Sequence, residues 1–272
     1  VCLSVFVAIC RCCAQGLMET PEPVTPVEIS TPEPATPNPV SALEKMVSAE
    51  QMKSLATAKD DLAAVNTDVQ FATVYRRLKA LASELITPLD AEYEKTNQTA
   101  LPADLFAEFP FFEVTYEAEG TAAVVVMTYP PLREAAGRTP QKSDDRFLDL
   151  VESMYTNAAG EGWSSIESRD SDYEGCSPLG SGVHKGILLY ADQALLESDI
   201  FATEIQAVRE PVFKDITEGN TGFPYCDTTT HAKTLNPKIR GEVNSILEEV
   251  KLSTGERSQL ETAMNTRFAI KI

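Results

Sequence analysis

The chain has 272 residues, 43% of them hydrophobic, and carries 23 Lys and Arg against 41 Asp and Glu, a formal net charge of −18. That length and apolar content hold one large domain or two small ones with a sizeable core. So acidic a surface repels phosphate backbones and anionic lipid headgroups, which argues against nucleic acid or an acidic membrane as partner and leaves solubility, or a basic protein partner, as its use.

Val1 to Cys10 is almost wholly apolar and runs into Arg11-Cys12-Cys13-Ala14-Gln15-Gly16. An apolar run of about ten residues ending in small ones has the form of the back half of a secretory leader. It falls short of the roughly 20 residues that a bilayer span requires. The alternative is a membrane-docked N-terminus with Cys2, Cys10, Cys12 and Cys13 as acylation sites. The body of the chain keeps one even pair, Cys176 and Cys226. In an oxidising compartment these form a disulfide closing about 50 residues, contributing about 4 kcal/mol; two buried thiols are the other reading. The expected location is extracellular or an organelle lumen.

Residues 17–40 hold Pro21, Pro23, Pro26, Pro32, Pro34, Pro37 and Pro39 among Thr and Glu. Such a tract cannot bury enough apolar surface to offset ordering, so it reads as a disordered spacer, either a glycosylated stalk or a plain linker. The folded body is expected over residues 41–272, as one domain opening on a helical pair at 41–96. Ser41-Ala42-Leu43-Glu44 has the form of a capping box, and Thr67-Asp68-Val69-Gln70 repeats it. Phe71, Val74, Tyr75, Leu78, Leu81 and Leu85 then recur at helical spacing until Pro88, which the pattern takes as the stop. An antiparallel helical pair of this kind packs on the protein's own sheet or serves as a partner-binding arm. Asn97-Gln98-Thr99 fits an N-glycosylation sequon, which makes Asn97 a glycosylation candidate if the chain is exported.

Residues 109–129 carry the clearest strand signal. Phe111 to Tyr116 is aromatic and β-branched, Glu119-Gly120 supplies a turn, and Val124-Val125-Val126-Met127 is an unbroken apolar run, with Pro110 and Pro130-Pro131 as punctuation. Beyond it, residues 133–142 read as a polar loop. Ser143-Asp144-Asp145 reads as a cap for a helix whose face is Phe147, Leu150, Val151 and Met154. Residues 163–167 and 183–190 read as strands, residues 192–210 as a helix ended by Pro211, and Asn236-Pro237 as a helix start. Ser253-Thr254-Gly255-Glu256 is a further capping box, and residues 268–272 alternate like an edge strand. Strands followed by helices without strict alternation give an α+β fold: a small, mainly antiparallel sheet built on the 109–129 hairpin, packed with several helices.

Chemistry-bearing patterns are few. Asp170, Asp172 and Glu174, followed by Gly175, match the opening of a calcium loop. Ser181 stands where its bidentate glutamate belongs. Cys176 with His184 and Cys226 with His231 lack zinc-site spacing. Ser181 lies close before His184, and Asp227 before His231. No Gly-x-Ser-x-Gly elbow or His-Glu-x-x-His occurs in the sequence. Gly180-Ser181-Gly182-Val183-His184-Lys185-Gly186 misses the dinucleotide-binding glycine pattern by one residue, and it is expected to precede a strand. The segment from Phe213 through Asp215, Ile216 and Glu218 to Gly222 resembles the calcium-site segment of the sedolisin family of serine peptidases. That family's Ser-Gly-Thr-Ser nucleophile segment is missing from this sequence, so no activity follows from the resemblance.

These patterns point to a non-catalytic, extracytoplasmic acidic protein with a binding or structural role, with protein partners, as in a larger assembly. The alternatives are a secreted hydrolase using His184 or His231, and a calcium-dependent binding module. No cofactor is expected other than calcium in that last case.

Overall fold

The computed structural model describes residues 39–116, 120–160, 168–169, 175–219 and 232–267. The leader-like run, the Pro-rich tract, the expected strands at 163–167 and 268–272, and the calcium-loop residues lie outside them. Among the described residues the protein is α+β, dominated by nine helices, with one small antiparallel sheet and a second, two-residue ladder.

Three helices open the fold: α1 (Pro39–Met46), α2 (Ala49–Ala64) and α3 (Asp68–Lys95). Where the sequence predicts a cap at Ser41, α1 starts two residues earlier. Pro39 suits a first helical position, since its missing N–H has no partner to lose there. The capping box that forms is the next one. Ser48 Oγ accepts from the Gln51 amide at 3.1 Å, and Gln51 Oε1 accepts from the Ser48 amide at 2.9 Å. Thr67 caps α3 through the Gln70 amide at 3.3 Å, as its sequence position implies.

Pro88 does not stop α3, which runs seven residues further to Lys95 and reaches about 42 Å over its 28 residues. A proline inside a helix leaves the carbonyl four residues back without its donor. Here that carbonyl is Glu84 O, and Gln51 Nε2 donates to it at 3.0 Å. One side chain therefore caps α2 and repairs the break in α3.

The hairpin forms as the sequence predicts. β1 (Phe112–Tyr116) and β2 (Ala123–Met127) pair antiparallel in the register Phe112 opposite Met127 and Tyr116 opposite Ala123. Gly120 takes a φ of +68°, open to glycine without a Cβ clash. Ala123, Val125 and Met127 are buried against α3. Pro130-Pro131, expected only to end the hairpin, instead begins α4 (Tyr129–Ala136), where the sequence predicted a loop from 133 onward. Both prolines occupy the first turn, which tolerates them. Arg138, just beyond α4, donates to Leu62 O at 2.6 Å and so satisfies a terminal carbonyl of α2.

α5 (Ser143–Met154) follows, then a short ladder of β3 (Ser168–Arg169) and β4 (Gly175–Cys176). Residues 183–190 are not a strand but the start of α6 (Val183–Glu197). Ile187, Leu188, Ala191 and Ala194 are buried on one helical face. A short apolar run suits a buried helix as well as a buried strand, and here its continuation to Ala194 decides the matter. The single helix expected over 192–210 is two, α6 and α7 (Ala202–Thr217), and Pro211 lies inside the second. α8 (Ala232–Glu249) begins before Asn236-Pro237, and α9 (Thr254–Thr266) begins at the expected box, with Ser253 and Glu256 exchanging both bonds.

The core is joined by stacked aromatic rings. Phe147 of α5 lies parallel to Phe201, ahead of α7, at 4.3 Å and 4°. Tyr75 of α3 meets Phe147 edge-on at 5.0 Å, and Phe71 meets Phe201 at 6.2 Å. All the described residues fall in one compact unit, 37–272.

Candidate functional site

Of the places that concentrate polar or recessed groups, the first to consider surrounds the start of α6. Its glycine loop holds Gly180 at φ +100° and Gly182 at φ +95°, conformations that a side chain strains. A Cβ on Gly180 would come within 3.2 Å of the Ile239 backbone nitrogen on α8, so the loop lies directly on that helix. The loop thus turns its amides toward Glu242 of α8. Glu242 Oε2 accepts from the Gly180 amide at 2.6 Å, and Oε1 accepts from the Lys185 amide at 3.0 Å. A glycine loop opening a helix is an anion cradle, because free amides and the helix dipole favour negative charge. In this protein the anion is its own buried carboxylate. Lys185 Nζ continues the staple, donating to Ser245 Oγ at 2.8 Å and to Glu249 at 2.7 Å.

Behind the loop, His184, Ser177 and Asp215 form a sealed cluster, with 0%, 2% and 5% exposure. Asp215 Oδ2 accepts from Ser177 Oγ at 2.5 Å and lies 2.7 Å from His184 Nε2. With Asp215 as carboxylate, Nε2 carries the proton. The buried Nδ1 then has no hydrogen-bond partner among the described residues. A serine–histidine–aspartate triad needs the hydroxyl on the imidazole and the carboxylate behind it. Here the carboxylate stands between the two, so the imidazole does not take the proton of Ser177. Ser181, the serine nearest His184 in the sequence, is exposed while His184 is sealed. Asp215, which the sequence places in a calcium-site-like segment, belongs to this cluster. Arg267 Nη1 donates to the Asp215 and Ile216 carbonyls at 3.1 and 2.5 Å and closes the end of α7.

Two other buried ionic groups are structural in the same sense. Arg209, 3% exposed, joins Asp192 at 2.8 Å to Glu256 at 3.3 Å. Burial pushes the Glu256 carboxyl up, but the Ser253 amide and Arg209 outweigh it and hold it below the usual carboxylate range. At α5 the expected self-cap does not form. Ser143 is the first helical residue, and its amide donates at 3.2 Å to Asp68, the buried first residue of α3. Asp144, fully buried, is bonded to Thr139 Oγ1 and the Asp145 amide, each at 2.8 Å. Burial pushes its carboxyl up to about 6; the Thr139 bond opposes the rise, and the Asp68 charge adds to it.

The second place is a groove of about 420 Å³ between β1 and the loop of residues 100–107. Its floor is Leu101, Leu105, Phe106 and Phe112, and Asp104 and Glu113 stand exposed at its rim. Nothing in the sequence singled out this loop.

Of the remaining sequence candidates, Asn97 sits exposed in the turn after α3 at φ +54°. Asp170, Asp172, Glu174, Cys226, Asp227 and His231 lie outside the described residues, as does the side chain of Cys176. The described residues contain no group of three or more ligands placed to hold a metal ion. None of their helices is long and apolar enough to cross a membrane. Comparison with protein-family models, with curated proteins and with solved structures finds no match for this chain.

Proposed function

We propose that the protein is a non-catalytic, extracytoplasmic acidic protein with a binding or structural role, working in contact with a protein partner as in a larger assembly. The observation that carries this reading is where the reactive groups go. Ser177, His184 and Asp215 are bonded among themselves out of solvent, and Glu242 fills the one glycine-loop anion cradle described. What the surface offers instead is a net charge of −18 and a recessed apolar groove with an acidic rim. Export is supported by the leader-like 1–16 run and by the even cysteine pair of the body.

The test is the native assembly state. Crosslinking in the source material followed by size-exclusion chromatography is expected to recover the chain in a complex larger than the monomer. Hydrolytic turnover by the purified chain, lost in His184→Gln at unchanged melting temperature, would replace this reading with the secreted hydrolase.

A further inference from the structure

On the outer edge of β1, backbone hydrogen-bonding groups are offered that no described residue takes. The phase of the ladder follows from bonds just outside it. The Thr128 amide donates to Phe111 O at 3.1 Å, so residues 111 and 128 face each other across the strands. Amide direction alternates along a strand, so Glu113 and Thr115 turn toward β2, and Phe112, Val114 and Tyr116 turn away from it. The residues opposite agree. Ala123 donates to Asp90 at 2.9 Å, and Met127 O accepts from the Ala158 amide at 2.9 Å, both away from β1. Both ends of the outer edge of β2 are thus taken, and α3 packs on that strand. On β1 the Phe112 amide is taken by Phe109 O at 3.0 Å, whereas no described residue takes the outward amide and carbonyl of Val114.

The 420 Å³ groove runs beside this edge, lined by β1 and the 100–107 loop and by no residue of β2. Its wall is already built. The Leu101 amide donates to Tyr116 Oη at 2.7 Å, and the Phe106 and Phe112 rings meet at 5.7 Å. An incoming strand would find the groove formed and would not bear the cost of ordering it.

We propose that the outer edge of β1 and this groove dock an extended, basic peptide segment of a partner protein, added to the sheet as a third strand. The Val114 N–H and C=O pair with its backbone, its alternate apolar side chains enter the groove over Leu105 and Phe106, and its Lys or Arg side chains meet Asp104 and Glu113. Charge names the occupant: an acidic rim on a chain of net charge −18 disfavours an acidic peptide or a second copy of the same chain. The proposal rests on the binding reading above and adds its site and its partner chemistry.

Fluorescence anisotropy on the full chain tests it, with a labelled octapeptide of alternating valine and lysine as probe. Valine–glutamate and glycine–lysine octapeptides are the comparisons. The valine–lysine peptide is expected to bind saturably, to weaken about tenfold with Asp104→Asn and Glu113→Gln together, and to be lost with Val114→Pro. A proline there removes the outward donor and spares the ladder. Should Val114→Pro unfold the chain, the exposed rim pair carries the test alone. Equal binding of either comparison peptide, or binding indifferent to the rim pair, overturns the proposal. So does a dimer that Val114→Pro dissolves, since a second copy would then hold the edge. Failure of the peptide while a native partner is still recovered removes the groove and leaves the binding reading standing. Turnover lost in His184→Gln removes that reading whatever the peptide does.

Discussion

Glu242→Ala should cost more than any surface substitution in this chain. The carboxylate accepts two amides, from Gly180 at 2.6 Å and from Lys185 at 3.0 Å, and is only 7% exposed. Hydrogen bonds to a charged acceptor contribute about 1.5–3 kcal/mol each, and water entering the vacated space recovers part of that. A loss of about 3 kcal/mol is expected, against a total of about 5–15 kcal/mol for a domain. Urea unfolding followed by circular dichroism at pH 7 measures it as a lower midpoint with unchanged slope. Glu242→Gln keeps one acceptor and turns an NH₂ toward the other amide, so it should fall between wild type and the alanine variant. The vacated cradle also makes a second, more specific prediction. Phosphate should raise the midpoint of Glu242→Ala more than that of the wild type, because a free helix N-terminus with glycine-loop amides accepts an anion. An alanine variant within 1 kcal/mol of wild type, with no phosphate response, would refute the account of α6 given above.

Three further outcomes concern Asp144, the proline in α3 and the Ser177–Asp215 bond. Burial pushes the Asp144 carboxyl up to about 6 from an ordinary aspartate value of 3.8, so the native state holds its proton more tightly. Its contribution is full below about pH 4 and is lost as pH rises through about 6, up to about 3 kcal/mol. Asp144→Asn should therefore gain stability relative to wild type across that window, as pH-dependent urea midpoints would show; a constant difference would contradict it. Pro88→Ala restores a helical N–H toward Glu84 O, so melting temperature should rise, and Gln51→Ala should cost less in that background than in the wild type. Additive costs would mean that Gln51 does not serve the broken turn. Ser177→Ala removes a donor to Asp215 Oδ2 and should cost about 1 kcal/mol in the same urea assay.

Local signals were legible and distant ones were not. The hairpin, the Thr67 cap and the Ser253–Glu256 box each sit within a few residues of chain, where turn and capping chemistry act. The prolines mislead because their cost depends on what lies nearby: Pro88 is tolerated through Gln51, which donates from another helix to the Glu84 carbonyl that the proline leaves free. Residues 183–190 misled because period alone does not separate a buried helix from a buried strand. The polar cluster could not be read from spacing, since Asp215 and His184 are 31 residues apart and Glu242 lies 62 from Gly180. A fainter signal was present. Glu242 interrupts the stripe of Ile239, Val243 and Ile246, and Asp215 sits between Phe213 and Ile216. A carboxylate on a core-facing stripe must find donors inside. The 100–107 loop carries no such irregularity, so its groove emerges only from the fold.

α3 lends a carboxylate near each end, Asp68 to the first amide of α5 and Asp90 to the outward amide of Ala123. Both recipients come later in the chain than the lender. A ribosome releasing this polypeptide would therefore deliver the long helix before either element that depends on it, and each newcomer would meet its acceptor already waiting.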